Sequence, residues 1–179
     1  MELNDTPSKH NLIRLWALYQ RAFPKSEKKP FGVMMKKRKE GTMEFMTVED
    51  DQGNFLGLVI TILHKDIVLL DYFAVSPAQR GKGIGSEVLG LLDQRYAGKR
   101  ILLEIEDPEE PCDNQEDRLR RKAFYLRNGR TVLDYKVWLF GIKMLILTNG
   151  TTVSFEEYHE IFDEVFSPRI GKHISLVTK

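Results

Sequence analysis

Ile67-Val68-Leu69-Leu70-Asp71-Tyr72-Phe73-Ala74-Val75, then Ser76-Pro77-Ala78, then Gln79-Arg80-Gly81-Lys82-Gly83-Ile84-Gly85-Ser86 is the stretch whose reading decides the fold. The first part is apolar on both faces, as a strand in the middle of a sheet must be. The last part opens a helix from Gly83 to Tyr96, with Ile84, Val88, Leu91 and Leu92 on one stripe and Gly98 as its stop. A buried strand that runs through a glycine-rich turn into a helix leaves several backbone N–H groups aimed at one spot, and that spot attracts an anion. Glycine at 81, 83 and 85 permits positive φ and lets a phosphate oxygen approach the main chain. Arg80 and Lys82 add positive charge at the same place.

A bare glycine pattern is a weak signal, so its spelling must be compared with other phosphate loops. A Walker loop requires Lys-Ser/Thr after its last glycine, whereas Gly85 is followed by Ser86-Glu87. A Rossmann turn needs a third glycine where Ser86 stands, although Glu104 or Glu106 could imitate its ribose-binding acid, so that reading is weakened and stays open. A kinase loop would bring a lysine strand and an Asp-Asn pair that the chain lacks. A glycine-rich connection that binds nothing is the remaining alternative.

Outward from this stretch the pattern is mixed. Thr6-Pro7 reads as a cap and first turn of a helix carrying Leu12, Leu15, Trp16 and Tyr19, and Pro30 to Glu40, closed by Gly41, reads as a second. From Thr42 the period becomes two, and Asp50 to Gly53 turns Met43–Thr47 into Phe55–Leu63 as a hairpin. Downstream come a strand over Ile101–Glu106, a loop over Asp107–Asp113, a helix from about Gln115 to Asn128, and strands over Thr131–Phe140 and Ile142–Leu147. Ser154 with Glu157 forms a capping box for a last helix that Pro168 is expected to close.

Composition bounds the class. With 179 residues, 42% hydrophobic and 30% charged, one folded domain over 1–179 is expected. Twenty-seven basic against 26 acidic residues give a net charge of +1, so no global field draws nucleic acid or an anionic membrane. The single Cys112 cannot form an internal disulfide, and His10, His64, His159 and His173 show no metal-ligand spacing, so no metal is expected. No signal peptide is visible, and the apolar run Val137–Leu147 is short and carries Lys143, which points to a cytoplasmic protein with no membrane partner.

Val75-Ser76-Pro77-Ala78-Gln79-Arg80-Gly81-Lys82-Gly83-Ile84-Gly85 resembles motif A of the GCN5-related N-acetyltransferases (GNAT), and Phe124-Tyr125-Leu126-Arg127-Asn128-Gly129 resembles the end of their motif B. The resemblance covers Phe45 to Gly129. It implies an α+β fold with a central, mostly antiparallel twisted sheet of six to seven strands, splayed at a cofactor cleft and flanked by helices. It also implies acetyl-CoA as cofactor and transfer of an acetyl group to a primary amine on a small molecule or protein, with a non-catalytic acyl-CoA sensor as the alternative. Carried over by position, Phe73, Ala74 and Val75 pair with the pantetheine arm, while Arg80, Gly81, Lys82, Gly83, Ile84, Gly85 and Ser86 hold the diphosphate. Two positions depart from the family: Arg118 stands where an asparagine is common, seven residues before Tyr125, and Arg130 where phenylalanine is common.

The reaction calls for a base and a proton donor, because a lysine-like amine with a reference pKa of about 10.4 is protonated at neutral pH. Leu102, Glu104 and Glu106 share one strand face, with the two carboxylates about 7 Å apart, and Glu104 is the favoured base. Glu106 and Asp71 are the other candidates, or the glutamates simply face solvent. Tyr125, in the last turn of its helix, is the candidate donor, the alternative being an aromatic that packs on the sheet with a wet hydroxyl. The acids 104, 106, 107, 109, 110, 113, 116 and 117 run without an intervening base and suggest selection of a cationic acceptor, or else a solvated loop.

Overall fold

The computed structural model of the protein describes residues 1–178. The chain folds as two units, Met1–Leu63 with Val68–Ala97, and His64–Ile67 with Gly98–Lys179.

In the first unit four strands lie in the order β1 (Glu2–Asn4), β2 (Met43–Glu49), β3 (Phe55–His64), β4 (Ile67–Val75). β1 and β2 pair antiparallel through Leu3↔Val48, and β2 and β3 through Phe45↔Ile60 and Glu44↔Thr61. Helices α1 (Lys9–Ala22), α2 (Phe31–Lys39) and α3 (Ile84–Arg95) cover this sheet on both faces. The alternation of β2 shows it: Phe45 meets Trp16 of α1 with ring centroids 5.6 Å apart. Its neighbour Glu44, on the opposite face, bonds the Tyr96 hydroxyl and Arg95 at the end of α3. Burial from both sides explains why Leu58, Val59, Ile60 and Ile62 of β3 are all fully buried, a continuous apolar run rather than an alternating one.

The second unit has strands in the order β5 (Arg100–Glu106), β7 (Ile142–Thr148), β6 (Thr131–Leu139), β8 (Ile174–Leu176), each pairing antiparallel. Its helices are α4 (Gln115–Arg127), α5 (Phe155–Val165) and the short α6 (Pro168–Gly171). Tyr158, Ile161, Phe162 and Val165 of α5 are buried at helical spacing. Arg100 donates to both oxygens of Asp66 (2.8 and 3.0 Å) and to Glu157 (2.7 Å), which fixes the start of β5 to residues 64–67 and to the first turn of α5. The α5 capping box is formed as expected, with Ser154 Oγ accepting from Glu157 N (3.2 Å) and Glu157 Oε2 accepting from Ser154 N (2.9 Å). Ser154→Ala should therefore cost about 1 kcal/mol, seen as a melting point lower by roughly 2–4 °C. An unchanged melting curve by circular dichroism would show that water replaces the cap.

The α+β architecture with a mostly antiparallel sheet is as expected, with local corrections. The described strands number eight rather than six or seven, because β1 and β8, at three residues each, are too short to show a period. The cap of α1 is Ser8, whose Oγ accepts from Asn11 N at 3.2 Å, and not Thr6, whose own N–H donates to Asn4 Oδ1. Pro168 does not close α5, which ends at Val165; it opens α6, where its missing N–H costs nothing. Phe140 leaves the strand for the turn, with φ 49° beside Gly141 at φ 81°, since a two-residue hairpin needs positive φ at both central positions. Among the described residues no helix is long and apolar enough to cross a membrane.

Candidate active site

β4 ends in a half-buried segment, Phe73, Ala74 and Val75. The Ser76 amide donates back to Leu56 O at 2.8 Å, and a single 3-10 turn, Pro77–Gln79, redirects the chain. Gly81 (φ 78°) and Gly83 (φ 80°) then take left-handed conformations, and Gly83 caps α3. Ser86 N and Glu87 N both return to Gly83 O, at 3.0 and 3.2 Å. The amides of Gly81, Lys82, Gly83, Ile84 and Gly85 find no protein acceptor among the described residues, so five consecutive donors stand at one helix N-terminus.

A Cβ added at Gly81 or Gly83 would meet nothing within 4 Å, so these glycines are required for their φ and the space beside them is open. Gly85 does not share that role. It lies inside α3 without positive φ, a correction to the expectation for that position. Arg80 donates from Nε to Val75 O at 3.3 Å, and Lys82 from Nζ to Gln79 Oε1 at 2.9 Å, which keeps both cations on the loop. Open amides, two exposed cations and a helix terminus fit the diphosphate of a coenzyme A.

The Asp71 side chain, two residues before Phe73 on β4, is buried. Lys29 Nζ reaches its Oδ1 at 2.6 Å, while its Oδ2 has no hydrogen-bond partner. Burial raises the Asp71 carboxyl above the ordinary range, opposed by the Lys29 charge. Its neighbour Tyr72 donates to Glu27 O at 2.7 Å and accepts from Lys29 N at 3.1 Å, so the 27–29 segment is pinned to β4. Burial also pushes the Tyr72 phenol well above its usual range.

In the second unit, Glu104 of β5 accepts a 2.6 Å hydrogen bond from the hydroxyl of Tyr158, which is fully buried in α5. Glu106, two residues on, is instead held by Arg118 (2.5 Å) and Arg121 (3.3 Å), which occupy both of its oxygens. Arg118 also donates to Asp107 O and Asn114 Oδ1, so the residue that replaces the usual asparagine ties the 106–114 loop together. Tyr125 lies 8% exposed in the last turn of α4, and its backbone oxygen accepts from Asn128 N and Arg130 N. Burial pushes its phenol up to about 12, and its hydroxyl has no hydrogen-bond partner among the described residues.

The acid run is far less free than its sequence suggests. Asp107 and Glu109 both pair with Lys136, Glu110 with Lys143, and Asp117 with Arg120. With Glu106 already paired, most of the eight acids are neutralised within the second unit, by bases supplied largely from other elements. Sequence proximity could show the acids but not these partners.

The structure thus brings Phe73 to Ser86 together in one unit, with Asp71, and places Glu104 and Tyr125 in the other. Three further residues carry no sequence signal: Gly57 of β3, packed against the Ala74 and Val75 backbone, Lys29 on Asp71, and Tyr158 on Glu104. A groove of about 470 Å³ lined by Leu133, Tyr135, Val153, Ser154, Phe155 and Glu157, among others, contains none of the expected site residues.

Residues 41–129 match the family model described as an acetyltransferase (GNAT) domain. Among solved structures, a protein of Bacteroides thetaiotaomicron assigned to the GNAT family superposes with a TM-score of 0.76 at 20% identity, covering 96% of this chain and 99% of its own. A chimera of Vibrio cholerae spermidine N-acetyltransferase SpeG and hSSAT gives a TM-score of 0.63 at 16% identity, covering 83% and 95%. No curated protein matches by sequence. At these identities the superpositions are likenesses of fold.

Proposed function

We propose, from the premise that this chain belongs to the GNAT acetyltransferases, that it is a single-domain cytoplasmic enzyme that uses acetyl-CoA to acetylate a primary amine. The observation that carries this reading is the row of five open amides from Gly81 to Gly85 at the start of α3. Those amides, with Arg80, Lys82 and Ser86, would hold the diphosphate, and the main chain of Phe73, Ala74 and Val75 the pantetheine arm. When bound, acetyl-CoA supplies a thioester carbonyl open to attack by an amine.

The protein's own groups manage the protons. Glu104, oriented by the Tyr158 hydroxyl, is the favoured acceptor of the amine proton. Asp71 is the second candidate, supported by its raised pKa and by an Oδ2 without a hydrogen-bond partner. The Tyr125 hydroxyl, kept protonated by burial, would be the hydrogen-bond donor to the thioester sulfur of a bound acetyl-CoA. The acceptor amine is carried by a small molecule or a protein. The spermidine acetyltransferases of this fold act on a polyamine, but the acid loop here is mostly paired internally and does not by itself favour a cationic acceptor.

The test is calorimetric titration with acetyl-CoA followed by thiol-release assays with spermidine, an aminoglycoside and lysine peptides. Gly83→Val, which places a β-branched side chain at φ 80°, should weaken acetyl-CoA at least about tenfold. Absence of acetyl-CoA binding by the unaltered protein would sink the reading. Binding without turnover on any amine would favour the sensor. Glu104→Gln and Asp71→Asn separate the two bases: the true one loses the acid limb of the pH–rate profile, and the other keeps it.

A further inference from the structure

His64, the last residue of β3, has a side chain only 8% exposed, and its Nε2 is buried without a hydrogen-bond partner. Opposite stand Glu164 Oε2 at 3.6 Å and Glu160 Oε2 at 3.9 Å. The two glutamates sit one turn apart on α5 and therefore share a face. One ligand atom from each of the three residues lies within 4.8 Å of the others.

These separations are too long for hydrogen bonds, which run to about 3.2 Å for nitrogen and oxygen. In a tetrahedral zinc site, with metal bonds of about 2.0–2.2 Å, neighbouring ligand atoms stand roughly 3.4 Å apart. The gap around His64 Nε2 is near that of a metal's ligand shell. Glu160 and Glu164 are 48% and 55% exposed, which gives an ion an entry path and leaves room for water as a fourth ligand.

We propose that His64, Glu160 and Glu164 form a binding site for a divalent cation of the zinc type, fastening residues 64–66 to α5. Lys65 Nζ, at 2.7 Å from Glu160 Oε2 and 3.7 Å from Glu164 Oε1, already places positive charge on this carboxylate pair and must swing out when the metal enters. His64 and the two glutamates lie far apart in the chain, so no ligand spacing is visible in the sequence. The site is independent of the acyltransferase reading and uses none of its residues.

The experiment is zinc titration of chelator-treated protein against a chromophoric competitor, with the Co²⁺ absorption spectrum as a second readout. The unaltered protein should take up one tight equivalent, raise its melting temperature with zinc, and give the intense visible bands of tetrahedral Co²⁺. His64→Gln and Glu164→Gln should each weaken zinc by about 100-fold or more, at least what loss of an outer-shell partner costs. Lys65→Ala should tighten it, because the competing ammonium is gone. Melting curves recorded without metal show whether each variant folds. Zinc binding as tight in His64→Gln as in the unaltered protein overturns the proposal, and so does a weak octahedral Co²⁺ spectrum.

Discussion

Tyr125→Phe is expected to lower kcat by about 100-fold or more, the usual cost of removing one donor aimed at developing negative charge, with little change in the KM for acetyl-CoA. Burial raises this phenol to about 12, while a thiol of cysteine type titrates near 8.5. Complete proton transfer from the phenol to the departing sulfur would then be uphill by about 5 kcal/mol. The contribution proposed for it is a hydrogen bond that would strengthen as charge builds, with solvent completing the protonation. Because the phenol stays protonated well past neutrality, its ionisation should cause no loss of kcat up to about pH 11.

The substitution is well suited to isolating chemistry. The Tyr125 hydroxyl has no hydrogen-bond partner among the described residues to lose, and the ring keeps its edge contact with Phe124 at 5.1 Å. The backbone bonds from Asn128 and Arg130 to its carbonyl are untouched. Stability should therefore stay within about 0.5 kcal/mol of the original. A Tyr125→Phe enzyme that keeps more than half of its kcat would return Tyr125 to the role of a packing aromatic.

The parts of this protein legible in its sequence are those where local chemistry and global fold agree. The apolar run of β4, the left-handed glycines 81, 83 and 129, and the Ser154–Glu157 box each announce themselves within a few residues. What could not be read depends on partners distant in sequence. Glu106 looks like a free carboxylate until Arg118 and Arg121 are seen on it. The acids after it look like an acidic patch until Lys136 and Lys143 are found to arrive from β6 and β7. Glu104 likewise looks like a bare strand carboxylate until the Tyr158 hydroxyl is found to reach it from α5. Short strands and the choice of Ser8 over Thr6 as cap fall in the same class, because both are decided by which groups tertiary packing leaves to be satisfied.

Gly57→Ala carries the second large effect, at a position with no glycine-like backbone conformation. A Cβ built on Gly57 of β3 would stand 2.6 Å from Ala74 O and 3.3 Å from Val75 Cα. Both obstacles are backbone, so no side chain can turn aside, and the end of β4 has to move. Overpacking of this kind costs about 1–3 kcal/mol, or a melting temperature lower by roughly 2–12 °C for a chain of this size. The displaced atoms are those proposed to hold the pantetheine arm, and an enzyme that bound its cofactor through a strand edge would be sensitive to shifts of about 1 Å. Affinity for acetyl-CoA should accordingly fall by about tenfold or more, beyond what the lost stability explains. Val165→Ala, a truncation in the core of α5, supplies the comparison: it should cost similar stability while leaving acetyl-CoA affinity near its original value. Equal affinity losses in the two variants would mean that general loosening, rather than the placement of Ala74 and Val75, governs cofactor binding. An unchanged affinity in Gly57→Ala would remove the β4 edge from the proposed site altogether.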